Sequence, residues 1–299
     1  LGPEPDIYLA RVHWIDGQRL AFQRQSRDQR RLDLVLHDLR DGSQRALVSE
    51  TSRTWVNLND DFRVLPRGES FLWASERSGR KQLYLYRLDG TLVRQVSDNP
   101  WAIESVLALD AAKQVVYVQA PGPDALEKQV YAQPPAGGAP RRLSSEPGWH
   151  DAVFAANASV FITTHSAPDT PPRVRLFDAR GRQRAVLEAN ALDAQHPYAP
   201  YAGAHIAPEF GTLAAADGQT LHYALFKPAG FDPARRYPAI VRYYGGPGRQ
   251  FVRRDWTSGI NTGATDLLSQ YWAQRGYVVF ALDNRGTPRR GKLFEDPLF

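Results

Sequence analysis

Several absences from the sequence exclude whole classes of chemistry. The 299 residues include no cysteine and no methionine, so disulfides, thiol catalysis and thiolate metal sites are ruled out. No stretch approaches the roughly 18 to 20 consecutive apolar residues of a membrane span, and no signal peptide is visible at the start. The sequence has no His-x-x-x-His spacing and no phosphate-binding glycine-rich loop. We therefore expect neither a metal nor a cofactor.

The charge pattern argues against a nucleic-acid partner. The formal net charge is +5 and the pI is about 9.4, which alone hints at an acidic ligand. The arginines, however, are interleaved with carboxylates, as in the stretch 24–28, RQSRD. Without a basic stripe or a recognition motif, a solvated arginine-rich surface explains the charge. The chain begins with Leu1 rather than Met, which indicates that it is processed or belongs to something longer.

Residues 1–200 repeat a unit of four strands. Alternating strands end in turns at Gly42, Gly90, Gly138 and Gly181, which are spaced 48, 48 and 43 residues apart. Repeats of this length, each with four antiparallel strands, are typical of β-propeller blades. We predict four blades that form the second half of a larger ring, because propellers close on themselves to hide their strand edges. A β-sandwich with evenly spaced turns is the alternative.

The pattern changes after a linker over 196–208 that is rich in Pro, Tyr and Ala. A hairpin around Asp217-Gly218 precedes an apolar strand at 238–244, an amphipathic helix at 265–275 and a second apolar strand at 277–282. Apolar strands joined by a helix predict the start of a parallel sheet that is covered on both faces. Only one such crossover is present, so no doubly wound domain is complete.

The first of these apolar strands ends in a candidate oxyanion site. Tyr243 and Tyr244 lead into a Gly-Gly-Pro-Gly stretch, here named the Gly-Pro turn (residues 245–248). Glycines permit backbone angles closed to other residues, and proline fixes the exit. Such a turn can hold a tyrosine hydroxyl and backbone N–H groups around one point, as an oxyanion hole requires. Alternation along the strand directs Tyr244 to the site and Tyr243 to the opposite side. A buried strand followed by an ordinary turn is the alternative.

No nucleophile accompanies this turn. The Gly-x-Ser-x-Gly pattern is absent, and six of the seven histidines precede the α/β segment that follows the linker. The seventh, His222, lies on the first hairpin, where a hydrolase with the triad order Ser, Asp, His does not place its base. On its residues alone, the chain is not a whole enzyme.

A second candidate site is the inter-blade linker, residues 54–60. Its sequence, TWVNLND, combines a tryptophan with amide and carboxylate groups between two predicted blades. Loops that project into a central cavity commonly contact ligands, so Trp55 and Asn57 are candidates for substrate binding. A loop that is merely solvated is the alternative.

Five stretches carry a family resemblance over nearly the whole chain. They are FLWASERSGRKQLY at 71–84, WVN at 55–57, SAPDTPP at 166–172, YGGP at 244–247 and RGYVVFALDNRGT at 275–287. Together they resemble the dipeptidyl peptidase IV branch, bacterial type, of the prolyl oligopeptidase clan. That family joins an eight-bladed propeller to an α/β-hydrolase domain.

The resemblance implies a division of the chain and a role for one residue. Residues 1–200 correspond to the second half of the propeller, and 201–299 to the N-terminal part of an α/β-hydrolase catalytic domain, which is incomplete. Tyr244 corresponds to the tyrosine whose hydroxyl completes the oxyanion hole. The turn 283–286 is similar to a motif that orders the loop after its strand. The family's catalytic Ser, Asp and His, and the glutamates that hold the substrate amino terminus, have no counterpart in these residues.

The function implied is that of a serine exopeptidase that releases N-terminal dipeptides, Xaa-Pro or Xaa-Ala, through an acyl-enzyme. The chain by itself is expected to be inactive. The resemblance also implies peptide substrates and a periplasmic or secreted location, and it allows a homodimer of the full-length protein. Two alternatives are an acylaminoacyl peptidase or oligopeptidase of the same clan and a non-catalytic propeller that binds peptides.

Overall fold

The computed structural model describes residues 6–66, 68–256, 259 and 263–299, which form five four-stranded sheets. The first four sheets follow one another along the chain, and each consists of four consecutive antiparallel strands. Their strands are β1 Ile7–Trp14, β2 Arg19–Ser26, β3 Arg31–Asp38 and β4 Gln44–Thr51; β5 Arg63–Val64, β6 Ser70–Ser75, β7 Gln82–Arg87 and β8 Leu92–Gln95; β9 Ser105–Asp110, β10 Val115–Ala120, β11 Gln129–Gln133 and β12 Arg141–Arg142; β13 Trp149–Phe154, β14 Val160–Ala167, β15 Thr170–Asp178 and β16 Gln183–Glu188. The four predicted blades are confirmed.

The repeated glycines mark one position in every blade, the turn between the third and fourth strands. Their φ angles are +73° at Gly42, +94° at Gly90, +107° at Gly138 and +83° at Gly181. A side chain is strained in this left-handed region, whereas glycine adopts it without cost. The spacing that was visible in the sequence therefore reflects a backbone requirement of the blade.

Apolar side chains fill the spaces between consecutive blades. One cluster joins the first two blades and includes Leu34, Phe71 and Trp73, of which Trp73 is 1% exposed. Two further clusters join the second blade to the third and the third to the fourth. A sandwich would pack two sheets around one core, so the β-sandwich alternative is wrong. Burial of each large side chain stabilises the stack by about 2 kcal/mol.

The fifth sheet is mixed and has the strand order β17-β18-β20-β19. Strand β18 pairs antiparallel with β17 and β20, whereas β19 and β20 are parallel. The predicted hairpin and the single crossover are thus confirmed, and the linker before them contains a one-turn helix. The elements are α1 Ala199–Ala202, β17 Glu209–Ala214, β18 Thr220–Phe226, β19 Ala239–Tyr243, α2 Leu267–Gln274, β20 Val278–Leu282 and α3 Lys292–Glu295, followed by a 3-10 turn at Asp296–Leu298.

The crossover helix α2 is shorter than predicted because Asp266 caps it. The Asp266 carboxylate accepts a hydrogen bond from the Ser269 backbone N–H, 3.0 Å away, and thereby satisfies a free donor of the first turn. The same carboxylate binds Arg242 of β19 through both oxygens, at 2.6 and 2.9 Å. Asp266 is 0% and Arg242 is 8% exposed, so this bidentate pair joins the helix to the sheet from inside.

The third blade docks directly on the mixed sheet. Leu126, from the loop between β10 and β11, belongs to the apolar cluster that includes Phe226 and Val279. The Arg254 backbone N–H donates to the Leu126 carbonyl at 2.9 Å, and the Arg254 side chain pairs with Asp124 at 2.9 Å. These contacts fix the mixed sheet against the propeller and create the space between them.

Candidate functional site

A cavity of about 1260 Å³ lies between the propeller and two segments of residues 201–299, here named the second region. The propeller contributes β1, the inter-blade linker and the ends of β6 to its wall. The second region contributes Pro247 and Gly248 of the Gly-Pro turn, together with several residues of the stretch 288–296 that follows β20. The volume exceeds the roughly 300 to 1,000 Å³ typical of small-molecule pockets, so the cavity can hold a short peptide.

Two buried glutamines of β2 bind the inter-blade linker to the first blade. The buried side chain of Gln23 accepts a hydrogen bond from the Asn59 backbone N–H at 3.0 Å, and Gln25 donates to the Val56 carbonyl at 2.6 Å. Both glutamines are buried, and buried polar groups require hydrogen-bond partners, so these bonds fix the linker to the blade. Trp55 and Asn57, the two predicted substrate-binding residues, both line the cavity, and their role there stays a prediction.

The Trp55 ring is held by two neighbours. Its indole N–H donates to the Asn57 side-chain oxygen at 3.0 Å. The Lys292 ammonium lies 3.9 Å from the ring centroid, well inside the range at which a cation is attracted to an aromatic face. The orientation of Trp55 therefore depends on a residue of the second region.

Asn57 bridges two carboxylates from different parts of the chain. Its side-chain N–H₂ donates to Glu76 at 2.9 Å and to Glu295 at 3.2 Å. Glu295 is 6% exposed. Burial, and secondarily the nearby negative charge of Glu76, raise the pKa of Glu295 to about 7. Near neutral pH this wall of the cavity thus carries a carboxyl group that exchanges a proton.

Tyr244 lies directly beyond the end of β19 and is 41% exposed, while Tyr243 is 67% exposed. The Arg249 guanidinium lies 5.6 Å from the Tyr244 ring centroid. Tyr244 is not among the residues that line the cavity, but the Gly-Pro turn that follows it reaches the wall at Pro247 and Gly248. The turn therefore connects Tyr244 with the cavity.

The expected backbone role of the Gly-Gly pair is wrong. Within the turn, only Gly248 has a positive φ, +82°. A Cβ atom at Gly246 would lie 3.4 Å from the Tyr244 ring, and one at Gly245 would lie 3.6 Å from the Tyr243 ring. Both distances are ordinary van der Waals contacts, so neither a positive φ nor the neighbouring tyrosine rings require glycine at these two positions.

The turn after β20 orders its surroundings, as predicted. The Asp283 carboxylate accepts hydrogen bonds from the backbone N–H groups of Phe251 and Val252, at 2.7 and 3.0 Å. Burial raises the pKa of Asp283 to about 6. The Arg285 side chain donates to the Phe294 carbonyl at 3.0 Å, which ties the turn to α3.

Sequence reasoning missed the charged residues of the cavity wall. Arg289 pairs with Glu104 of the third blade at 2.9 Å and lies 4.8 Å from the Trp149 ring centroid. Lys292 and Glu295 lie on α3, whose single turn is too short to produce a periodic pattern. The linker and blade residues that these three side chains contact are far away in the sequence, so no local signal identifies them.

Within the part of the chain that the structure describes, no group of three or more His, Asp or Glu side chains is arranged to hold a metal ion. None of the helices formed by the same residues is long and apolar enough to cross a membrane.

Four successive blades, packed on a mixed sheet with a cavity between them, define a propeller-bearing protein. Residues 2–172 match the family described as the dipeptidyl peptidase IV (DPP IV) N-terminal region. The match covers more than half of the chain, and the chain belongs to this family.

Individual relatives agree with this assignment. A dipeptidyl peptidase 4 of Trichophyton rubrum is 24% identical over 304 residues, which cover 98% of this chain and 38% of the relative. A dipeptidyl peptidase 8 of Mus musculus is 26% identical over 287 residues, 83% of this chain and 31% of the relative. The crystal structure of Porphyromonas gingivalis dipeptidyl peptidase 4 superposes with a TM-score of 0.86 and 25% identity, over 100% of this chain and 41% of that one. The chain thus spans well under half the length of these relatives.

Proposed function

We propose that this chain is part of a longer serine exopeptidase that releases Xaa-Pro or Xaa-Ala dipeptides from peptide N-termini through an acyl-enzyme. The observation that carries the proposal is the cavity of about 1260 Å³ between the propeller and the Gly-Pro turn, in a chain of the dipeptidyl peptidase IV N-terminal family. In the proposed full-length enzyme, the propeller restricts entry to this cavity to short unfolded peptides.

In this proposal Tyr244 serves the reaction and the inter-blade linker binds the peptide. The Tyr244 hydroxyl donates a hydrogen bond to the oxyanion of the tetrahedral intermediate, and it is accessible because the residue is 41% exposed. One such donor lowers the barrier by about 3 to 4 kcal/mol. Trp55 and Asn57, which line the cavity, contact the bound peptide.

The proposal assigns residues 1–200 to half of a propeller ring and 201–299 to the N-terminal part of an α/β-hydrolase domain. Trp14 on the first blade is 63% exposed, and Val153 on the fourth is 74% exposed. Large apolar side chains at both ends of the row fit contact with further blades. The parallel pairing of β19 with β20 across α2 fits the start of a hydrolase sheet.

We extend the proposal to the setting of the full-length protein. It takes peptides as substrates, is periplasmic or secreted, and forms a homodimer. Fractionation of the source cells tests the location, and analytical ultracentrifugation of the full-length protein tests the dimer.

The test of mechanism is Tyr244→Phe in the full-length parent, assayed with a Gly-Pro chromogenic peptide. We expect kcat to fall by about a hundredfold with KM nearly unchanged, because the donor acts on the oxyanion that forms after binding. Tyr243→Phe is the matched control, since it removes the same hydroxyl one residue away, and it should retain activity. A Tyr244→Phe enzyme as fast as the wild type contradicts the assignment.

A second experiment tests whether the chain is part of a larger enzyme. The purified chain of 299 residues should not cleave the same substrate, because its sequence contains no Gly-x-Ser-x-Gly nucleophile. Measurable turnover by this chain would overturn the proposal.

A further inference from the structure

The stretch that follows the turn after β20 is attached to the inter-blade linker. We name it the docking segment, residues 291–296. The Lys292 ammonium donates to the Trp55 carbonyl at 3.1 Å, and the Thr54 hydroxyl donates to the Asp296 carboxylate at 2.7 Å. These contacts join positions 237 and 242 residues apart, so they connect the two regions of the molecule directly.

Lys292 is the centre of this attachment. Its side chain is 11% exposed and pairs with Asp296, one helical turn away, at 2.9 Å. Its ammonium also lies 3.9 Å from the centroid of the Trp55 ring. A cation that is largely removed from water interacts more strongly with an aromatic face than an exposed one does. The contact with Lys292 therefore stabilises the observed orientation of the Trp55 ring.

The backbone of the docking segment is fixed on its other side. The Lys292 backbone N–H donates to the Gly79 carbonyl at 2.9 Å. Gly291 has a φ of +86°, and a Cβ atom there would lie 2.6 Å from the Gly79 oxygen. Only glycine fits this close approach, so the local sequence supports the docking.

Glu295 adds a contact to the second candidate residue of the linker. Its carboxylate accepts a hydrogen bond from the Asn57 side-chain nitrogen at 3.2 Å, and the same nitrogen also donates to Glu76. The docking segment thus contacts both Trp55 and Asn57, and all of these residues line the cavity.

We propose that Lys292 and Glu295 are positioning residues that hold Trp55 and Asn57 in the orientation that binds the peptide. This inference rests on the proposed function, because it assigns the two linker residues to the substrate. The docking segment acts through the linker and does not itself contact the reacting atoms. As a result, Trp55 and Asn57 on the propeller adopt the binding orientation only when the docking segment of the second region is in contact with the linker.

The experiment compares Lys292→Met with Lys292→Arg in the full-length parent. Methionine keeps the length of the side chain and removes the charge, whereas arginine keeps the charge and can stack on the indole. We expect Lys292→Met to raise KM for a dipeptide chromogenic substrate about tenfold, with kcat within about twofold, and Lys292→Arg to restore most of the affinity.

The matched control is Lys227→Met. Lys227 also pairs with a carboxylate, Glu209 at 2.8 Å, and also lies over an aromatic ring, Phe231 at 5.2 Å. It does not line the cavity, so its loss should leave KM unchanged. An equal rise in KM for both variants would show a general effect of lost stability and would overturn the proposal.

Hydrogen–deuterium exchange supplies a readout that needs no activity. The Val56 backbone N–H is bonded to the Gln29 carbonyl at 2.8 Å, and Lys292→Met should speed exchange in a peptide that contains the linker. If the wild type cleaves no dipeptide substrate, the proposed function fails, whereas the exchange result still decides whether the docking segment holds the linker. If the wild type is active but neither KM nor exchange changes, the positioning role is wrong.

Discussion

The buried carboxyl group of Glu295 makes stability depend on pH in a direction that can be worked out. Three charged groups face it: Glu76 across Asn57, and Lys292 and Asp296 on its own segment. Burial and the Glu76 charge raise its pKa from 4.5 to about 7. The folded protein therefore holds the proton more tightly than the unfolded chain does.

The direction in which folding stability changes with pH follows from this difference in the pKa of Glu295 between the folded and unfolded states. Below about pH 4.5 the carboxyl is protonated in both states, and it contributes no pH dependence. As the pH rises toward 7, the unfolded chain gains stability by losing the proton while the folded protein retains it. Above pH 7 the loss of folding stability from this group is complete. A pKa difference of this size corresponds to about 3 kcal/mol.

The substitution that tests the argument is Glu295→Gln. Glutamine keeps the oxygen that accepts from Asn57 but does not ionise. The variant should match the wild type near pH 5 and melt several degrees higher near pH 8, because up to about 3 kcal/mol of destabilisation is removed. Thermal unfolding followed by circular dichroism at both pH values measures the difference.

The control is Glu209→Gln, which neutralises a carboxylate that is 60% exposed and paired with Lys227. Surface pairs contribute about 0 to 1 kcal/mol, so this variant should follow the wild type at both pH values. If Glu295→Gln and the wild type lose stability in parallel between pH 5 and 8, the reasoning about the buried carboxyl is refuted.

Two other substitutions test the fold. Asp266→Asn leaves Arg242 as a buried cation without its carboxylate and should lower the free energy of unfolding by about 3 to 5 kcal/mol in a urea titration; a loss below about 1 kcal/mol would contradict the buried pair. Gly148→Ala should prevent correct assembly of the fourth blade, because φ is +113° and the new Cβ atom would lie 2.4 Å from the Ser166 carbonyl oxygen. Its expected signature is a fall in soluble yield or in melting temperature, and a variant as stable as the wild type would show that the blade can shift.

The blades could be predicted because their signals are local. Alternation of apolar side chains depends only on neighbouring residues, and the glycine turns repeat because each has a positive φ. The length of α2 was harder to predict. The sequence pattern extends to Thr265, but the helix begins at Leu267 because Asp266 turns its carboxylate to the helix end and to Arg242. The position at which α2 begins therefore depends on Arg242 of β19, 24 residues earlier in the sequence.

The candidate site likewise contains some residues that local sequence identifies and others that only the fold identifies. Trp55, Asn57 and Tyr244 stand out because their residue types and flanking turns are unusual within a short window. Whether Tyr244 acts on an oxyanion stays a prediction. Lys292 and Glu295 carry no such signal, since a lysine and a glutamate on one helical turn are typical of any solvated surface. Their significance arises only when the fold brings them to the inter-blade linker.

Arg289 shows most clearly why local reasoning fails at the cavity wall. Its φ is +73°, a conformation that costs a residue with a side chain about 1 kcal/mol or more, so local propensity favours glycine there. The guanidinium, however, reaches Glu104 on the third blade at 2.9 Å, and the Trp149 ring centroid at 4.8 Å. A buried ion pair by itself adds little net stability, but it is costly to misplace. A shift of the second region away from the third blade would therefore break the contacts of Arg289 with Glu104 and Trp149 and destabilise the protein. In this way Arg289 helps to fix the distance across the cavity.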